Sequence, residues 1–130
     1  MTEERRAHST DTAWEQRVGY ARAVRLGRHV HVSGTLGSGP GGAPPAGAYE
    51  QSVAAFGRIG EALAALGASF ADVVRTRMYV VDLDQHHEGV GRAHREFLGG
   101  VRPASTMVGV AALIAPEYVV EIEVEALLPA

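Results

Sequence analysis

The chain lacks several features that would each assign it to a class of proteins. Its 130 residues contain no cysteine, which excludes disulfides, zinc–thiolate sites and thiol nucleophiles. No apolar run approaches the roughly 20 residues that a membrane-spanning helix needs, so we expect no membrane partner. The formal net charge of −3 argues against a nucleic-acid partner, because such surfaces need clustered Lys and Arg. We expect a cytoplasmic protein.

We expect the first residues not to act as a secretory signal. Residues 1–13 are polar, contain charges of both signs and lack the apolar core of a secretory signal. We predict a flexible N-terminal arm over residues 1–13 and one domain over residues 14–130, because a chain of this length buries a single core.

The remaining sequence alternates between strand and helix patterns. Strands are predicted over residues 23–28, 29–34, 73–81, 104–110 and 119–128, and helices over residues 49–66 and 88–98. A Gly/Pro-rich loop is predicted over residues 37–47. The order β-β-α-β-α-β-β predicts a two-layer α+β domain with both helices on one face of a sheet. Gly57 and Gly60 inside the first helix are expected to permit close packing.

The sheet face that is turned away from the helices is predicted to be polar. Strand alternation places these residues on it: His29, His31, Arg75, Arg77, Tyr79, Ser105, Met107, Glu121, Glu123 and Glu125. Such a face is either solvated or buried against further copies of the same sheet. Neither His29 with His31 nor the adjacent His86 and His87 has a third ligand nearby in the pattern, so we expect no metal site.

One short motif is the most informative part of the sequence. Residues 102–108 read Arg-Pro-Ala-Ser-Thr-Met-Val. They resemble the Pro-Ala-Arg-Ser/Thr signature of the reactive-intermediate deaminase family (Rid, also called YjgF), with Ser105 in the place of the arginine. Residues 20–24, 32–34, 65–74 and 119–123 also match that family in order and spacing. The resemblance covers roughly residues 19–128.

The resemblance implies a fold, an assembly and an activity. Family members have a chorismate-mutase-like α+β fold and form homotrimers, with the sheets inward and the helices outward. Their ligand sites lie in the clefts between subunits and use no metal or cofactor. The implied activity is the hydrolytic deamination of an imine, an enamine or a related activated carbonyl compound, so the expected partners are a small molecule and further copies of the chain.

The resemblance also implies roles for particular residues. Glu121 matches the glutamate that positions the hydrolytic water, and Tyr20 matches a hydroxyl that lines the site, so both are predicted to be catalytic. The predicted substrate-binding residues are Ser33, Gly34, Ser105, Thr106, Met107 and Arg77. From strand alternation alone, Glu121 is an ordinary member of a solvated glutamate row, and Arg77 is a charge partner of that row.

Ser105 limits the choice of substrate. The family arginine grips a carboxylate through two hydrogen bonds, whereas a serine offers one neutral hydroxyl. Either the substrate lacks a carboxylate, or another cation binds it, or the site has another use. We expect a substrate that is not a standard imino acid, and we consider Arg77 the best substitute among Arg75, Arg77 and Arg102. The alternatives are a metabolite-binding module without catalysis and, less favoured by the acidic charge, a ribonuclease.

Overall fold

The computed structural model describes residues 4–10, 12–38 and 42–130. The elements in chain order are strand β1 (Arg5–His8), helix α1 (Ala13–Val18), strands β2 (Ala23–Leu26) and β3 (His29–Leu36), helix α2 (Ala48–Ala65), strand β4 (Val73–Val81), helix α3 (Leu83–Leu98), and strands β5 (Ala104–Val110) and β6 (Val120–Leu127). A short 3-10 turn, Phe70–Asp72, precedes β4. Within the described residues, no helix is long and apolar enough to cross a membrane.

The six strands form one sheet in the order β1-β2-β3-β6-β4-β5. All neighbours are antiparallel except β4 and β5, which are parallel. Helices α2 and α3 pack on one face, where Phe56, Ile59 and Leu63 of α2 are fully buried. The predicted α+β architecture with both long helices on one face is confirmed, and five of its strands lie where the sequence indicated.

Strand β6 occupies the centre of the sheet because of its strict alternation. Val120, Ile122 and Val124 are buried against the helices, whereas the glutamates between them point to the opposite face and are only partly covered. A residue period of two matches the pleat of a strand that is apolar on one side. The sequence of β6 therefore fixes which side of the sheet faces the core.

A buried glutamine ties the loops to α2. The Gln51 side chain donates to the carbonyls of Pro45 and Glu117, and its oxygen accepts from the Val119 amide. All three hydrogen bonds lie within 3.0 Å, so the cost of burying the amide is offset. Gln51 thereby fixes the position of the segment before β6, and this segment contains Tyr118.

The prediction of a flexible N-terminal arm over residues 1–13 is corrected by the structure. Among its described residues, Arg5–His8 pair with β2 as an edge strand, and helix α1 follows. The buried Glu15 carboxylate accepts hydrogen bonds from Thr10, Thr12 and Ser9. Burial raises the pKa of Glu15, but these hydrogen bonds outweigh it and lower the pKa. Alternation did not reveal β1, because its residues are polar and its pairing uses only backbone groups. Residues 1–3 and Asp11 of the predicted arm lie outside the described residues, as do residues 39–41 of the predicted Gly/Pro-rich loop.

Helix α3 begins five residues earlier than predicted, at Leu83 instead of Glu88. Asp82 adopts a left-handed conformation, with φ of 51°, which turns the chain from β4 directly into the helix. Apart from Leu83, the first turn is polar and carries no apolar stripe, so periodicity did not reveal it. His86 and His87 therefore lie on the helix, where their Nδ1–H groups donate to the carbonyls of Val81 and Leu83.

The prediction that Ser105 and Met107 of β5 lie on the polar face is wrong. Ser105 and Met107 are paired with Thr76 and Met78 in the parallel register, and paired residues point to the same side of a sheet. Thr76 and Met78 are buried under the helices, so Ser105 and Met107 lie on the helix side, while Thr106 lies on the polar face. β5 is an edge strand whose residues are almost uniformly exposed. Burial therefore does not show which of its side chains face the helices, and only its register with β4 does.

Two glycines of α2 are expected to respond differently to alanine. Gly57→Ala should raise the free energy of unfolding by about 0.5–1 kcal/mol, because a Cβ there would meet nothing within 4 Å. Gly60→Ala should gain less or lose stability, because its Cβ would lie 3.0 Å from the Phe70 ring. Urea denaturation of both variants measures the difference. Equal stabilisation would contradict the close packing at Gly60.

Candidate functional site

A β-bulge near the end of β3 shapes the candidate site. Val32 pairs with Val124 of β6, but Thr35 pairs with Ile122, so Ser33 and Gly34 together stand opposite Glu123. The extra residue turns Thr35 into the core, where it is fully buried. Its hydroxyl donates to the Ser33 carbonyl at 2.7 Å. Bulges of this kind bend a strand and re-aim its residues.

The bulge is held by the segment that follows α1. The Ser33 amide donates to the Arg22 carbonyl at 3.0 Å, and its hydroxyl donates to the Ala21 carbonyl at 2.7 Å. The Arg22 guanidinium donates in return to the Gly34 carbonyl at 2.6 Å. Gly19 ends α1 in a left-handed conformation, with φ of 88°, and so directs Tyr20 and Arg22 towards the bulge.

Glu121 lies directly against the bulge. A Cβ on Gly34 would be 2.9 Å from the Glu121 carboxyl carbon and 3.2 Å from each of its oxygens. The carboxyl therefore packs on bare backbone, and glycine is required at position 34 for this approach. Burial raises the pKa of Glu121, the positive charge of Arg22 opposes this change, and the charge of Glu123 adds to it. The net effect holds the pKa of Glu121 above its ordinary value.

Two hollows share Tyr20, Gly34 and Glu121. The first, here called the inner cavity, has a volume of about 330 Å³. The second, here called the outer cleft, has a volume of about 630 Å³ and is more open. The inner cavity is also lined by Thr12, Trp14, Arg22, Leu36, Ser38, Arg58, Ile114 and Tyr118, and the outer cleft by Ser33, Tyr79, Val110, Leu113 and Glu123. Glu121 is thus exposed to ligands from both sides.

Two arginines of the inner cavity were not predicted. Arg22 is only 5% exposed, and its guanidinium carbon lies 5.7 Å from the centre of the Tyr20 ring. Arg58 of α2 donates to the Leu36 carbonyl at 2.6 Å. Burial and the nearby charge of Arg22 lower the pKa of Arg58. The signal that was overlooked is a charged residue in α2 between the apolar Phe56 and Ile59.

Arg77 lies elsewhere on the polar face. Its guanidinium forms salt bridges with Glu123 at 3.4 Å and Glu125 at 3.1 Å, and the Tyr79 hydroxyl donates to Glu123 at 2.7 Å. The interpretation of Arg77 as a charge partner of the glutamate row is therefore confirmed. Arg77 contributes to neither the inner cavity nor the outer cleft, and its predicted contact with substrate stays a prediction.

Only part of the predicted site comes together within one chain. The structure joins Tyr20, Ser33, Gly34 and Glu121. Residues 105–107 are separated from Glu121 by β4, because β4 lies between β5 and β6. The Ser105 hydroxyl instead accepts from Thr76 at 2.8 Å, and Thr76 lies 2.9 Å from Nε2 of His94. Among the described residues, no group of three His, Asp or Glu side chains is placed to hold a metal ion.

The burial of Glu121 should make stability depend on pH. Its pKa in the folded chain lies above the ordinary 4.5, so the folded chain binds more protons than the unfolded chain once the pH exceeds about 4.5. This contribution to the free energy of unfolding is fully present at lower pH and is lost as the pH rises through the folded pKa. Glu121→Gln should abolish it.

Urea denaturation of the wild type and Glu121→Gln from about pH 4 to pH 8 measures the contribution. The wild-type free energy of unfolding, minus that of the variant, should fall as the pH rises. A difference that does not change with pH would contradict the burial of the Glu121 carboxyl.

Comparison with known proteins identifies the family of the chain. A family model described as endoribonuclease L-PSP matches residues 10–128. The uncharacterized protein SCO2049 of Streptomyces coelicolor is 39% identical over 117 residues, which cover 87% of this chain and 84% of that protein. The 2-iminobutanoate/2-iminopropanoate deaminase of Mus musculus is 32% identical over 96 residues, which cover 72% of this chain and 70% of the deaminase.

Solved structures show the same relationship. Rv2704 from Mycobacterium tuberculosis, described as a member of the YjgF/YER057c/UK114 family, is 44% identical and matches with a TM-score of 0.89, covering 96% of this chain and 100% of its own. The resemblance inferred from the Pro-Ala-Ser-Thr motif is confirmed. The chain belongs to the endoribonuclease L-PSP family, which is the YjgF or Rid family.

Proposed function

We propose that the chain hydrolyses the C=N bond of a small imine, or of the imine tautomer of an enamine, to a carbonyl compound and ammonia. The observation that carries this proposal is the half-buried Glu121 carboxyl, which lines two hollows together with Tyr20. A raised pKa suits a carboxyl that must both take and return a proton near neutral pH.

The reaction needs only proton transfers around one water molecule. In the proposed mechanism, the Glu121 carboxylate takes a proton from water while the water oxygen bonds to the imine carbon. Glu121 passes this proton to the imine nitrogen, and the product is a neutral carbinolamine. The regenerated Glu121 carboxylate then takes the proton of the carbinolamine hydroxyl as the carbonyl forms and passes it to the nitrogen as the C–N bond breaks, so that ammonia leaves and Glu121 returns to its starting state. The Tyr20 hydroxyl would orient the nitrogen throughout.

The composition favours this direct route. The chain has no cysteine, and all twelve of its Lys and Arg side chains are arginines, so no thiol or lysine amine is available to form a covalent intermediate. General acid–base catalysis supplies rate enhancements of about 10²–10⁴. Several mammalian relatives, including the Mus musculus protein, are named as deaminases of 2-iminobutanoate and 2-iminopropanoate, which supports a C=N substrate here.

A metabolite-binding module is the second candidate. It is favoured by one observation, the replacement of the motif arginine by Ser105. A ribonuclease, the activity in the name of the family model, is less compatible with the charge. The polar sheet face carries a glutamate row, and the net charge is −3, whereas RNA binding needs a positive surface.

We also propose that the chain assembles as a homotrimer and that neighbouring copies close the outer cleft. Val108 on the edge strand β5 and Ile114 at the rim of the inner cavity are 40% and 63% exposed. The free edge of β5 is suited to contact with another copy, since exposed strand edges are normally covered or blunted. In such an assembly, Thr106, which lies on the polar face, would belong to a different copy from the Glu121 that it approaches.

Replacing Glu121 should remove turnover without removing the fold. Ammonia release from freshly generated imines, some with a carboxylate and some neutral, is expected to fall at least about 10²-fold in Glu121→Gln. Glu125→Gln is the matched control, because Glu125 lies on the same face of β6 but contributes to neither hollow. The acid limb of the wild-type pH profile should lie above pH 4.5, since the mechanism needs ionised Glu121.

Two results would contradict the enzymatic proposal. One is undiminished turnover in Glu121→Gln. The other is the absence of turnover above the uncatalysed rate on every imine, which would favour the binding module.

The assembly has its own test. Light scattering should give a mass three times that of one chain. Val108→Asp should lower this mass, because it places a charge on an apolar edge that another copy is expected to cover. A monomeric wild type would contradict the trimer.

A further inference from the structure

The inner cavity contains two arginines that have no carboxylate partner among the described residues. Arg22 and Arg58 each donate to one backbone carbonyl. Among the described residues, the arginines that form salt bridges are Arg77 and Arg92, so neither cavity arginine is paired with a carboxylate. Arg58 is partly buried and Arg22 almost completely, and burying an unpaired charge is costly unless something else compensates for it.

The nearby carboxyls compensate only in part. The charge of Glu15 raises the pKa of Arg58, and the charge of Arg22 lowers the pKa of Glu121 against the effect of burial. Among the described residues, however, neither carboxyl forms a salt bridge with either arginine, and the Glu15 oxygens accept hydrogen bonds from Ser9, Thr10 and Thr12 instead. The two guanidinium groups therefore lack an anion in direct contact.

A second observation concerns Arg22 itself. Its Nε–H is buried and has no hydrogen-bond partner among the described residues, although the residue is only 5% exposed. Buried donors without partners are rare in folded proteins and commonly mark a functional site. The guanidinium is thus held in place by the Gly34 carbonyl and is incompletely satisfied by the protein alone.

The other walls of the inner cavity are largely apolar. Trp14, Leu36 and Ile114 contribute to the lining, and Trp14 and Ile114 are 45% and 63% exposed. The volume of about 330 Å³ equals the liquid volume of roughly ten water molecules, which is more than a three-carbon acid fills. A ligand matching these walls combines an acidic group with an apolar body.

We propose that Arg22 and Arg58 form an anion subsite that binds the carboxylate of an amphipathic ligand, whose apolar body lies against Trp14, Leu36 and Ile114. The subsite replaces the carboxylate grip that Ser105 cannot provide. Placing the ligand's C=N bond at Glu121 rests on the proposed hydrolytic function, whereas the subsite does not.

Unreactive probes test the subsite independently of chemistry. We would titrate the protein with 3-phenylpropanoate, with its neutral amide 3-phenylpropanamide and with propanoate, and follow binding by NMR chemical shifts. The wild type should bind 3-phenylpropanoate roughly ten- to a hundredfold more tightly than the amide, since charge-assisted hydrogen bonds contribute about that much. Propanoate should bind more weakly than 3-phenylpropanoate because it lacks the apolar body.

Arg58→Met should reduce the affinity for 3-phenylpropanoate about tenfold or more and leave that for the amide unchanged. Arg58→Lys should retain part of the preference, because it keeps the charge. Arg25→Met is the matched control: Arg25 also donates to backbone carbonyls, those of Gly27 and Leu66, but lies outside the inner cavity. Arg58 carries the test because Arg22 is buried and braces the bulge.

Three outcomes would overturn the proposal: equal affinity for acid and amide, unchanged selectivity in Arg58→Met, or an equal loss in Arg25→Met. The assay also separates this proposal from the hydrolytic one. Acid-selective binding that persists in Glu121→Gln, combined with no imine turnover in the wild type, would support the subsite and reject the hydrolase. Imine turnover without acid-selective binding would support the hydrolase and reject the subsite.

Discussion

The approach of Glu121 to the backbone of Gly34 is the contact on which the rest of the site depends. It requires a residue without a Cβ, and it requires the bulge that sets Ser33 and Gly34 opposite a single residue of β6. The same bulge turns Thr35 into the core and places the Gly34 carbonyl within reach of Arg22. One inserted residue in a strand thus determines core packing, the position of the carboxyl and the position of a buried cation.

The polar face of the sheet has two regions that differ in the balance of acidic and basic side chains. Arg77 forms salt bridges with both Glu123 and Glu125 on the exposed part of the face, where negative charge exceeds positive charge. The hydrogen bond that the Tyr79 hydroxyl donates to Glu123 raises the pKa of Tyr79. Towards Glu121 the balance reverses, because Arg22 and Arg58 lack carboxylate partners among the described residues. The three glutamates of β6 and the three arginines near them therefore belong to two regions with different chemistry.

The sequence predicted those parts of the molecule that burial determines. Strand β6 alternates strictly because one of its faces is buried, and helix α2 shows its apolar stripe for the same reason. Tyr20 and Glu121 were located through family resemblance, since alternation alone made Glu121 one of three equivalent glutamates. The side of β5 that carries Ser105 was missed, because an edge strand takes its faces from its neighbour's register. Arg22 and Arg58 were missed because only the bulge and the docking of α2 bring them together.

Helix α1 forms part of the wall of the inner cavity, so its docking is coupled to ligand binding. This helix has six residues, too few to be stable alone, and its Thr12 cap and Trp14 line the cavity. The binding of any ligand that contacts Trp14 is then coupled energetically to the docking of this helix. Thermodynamic linkage makes the effect reciprocal. A bound ligand shifts the equilibrium of the N-terminal segment towards its docked state, and loosening that segment weakens ligand binding by the same free energy.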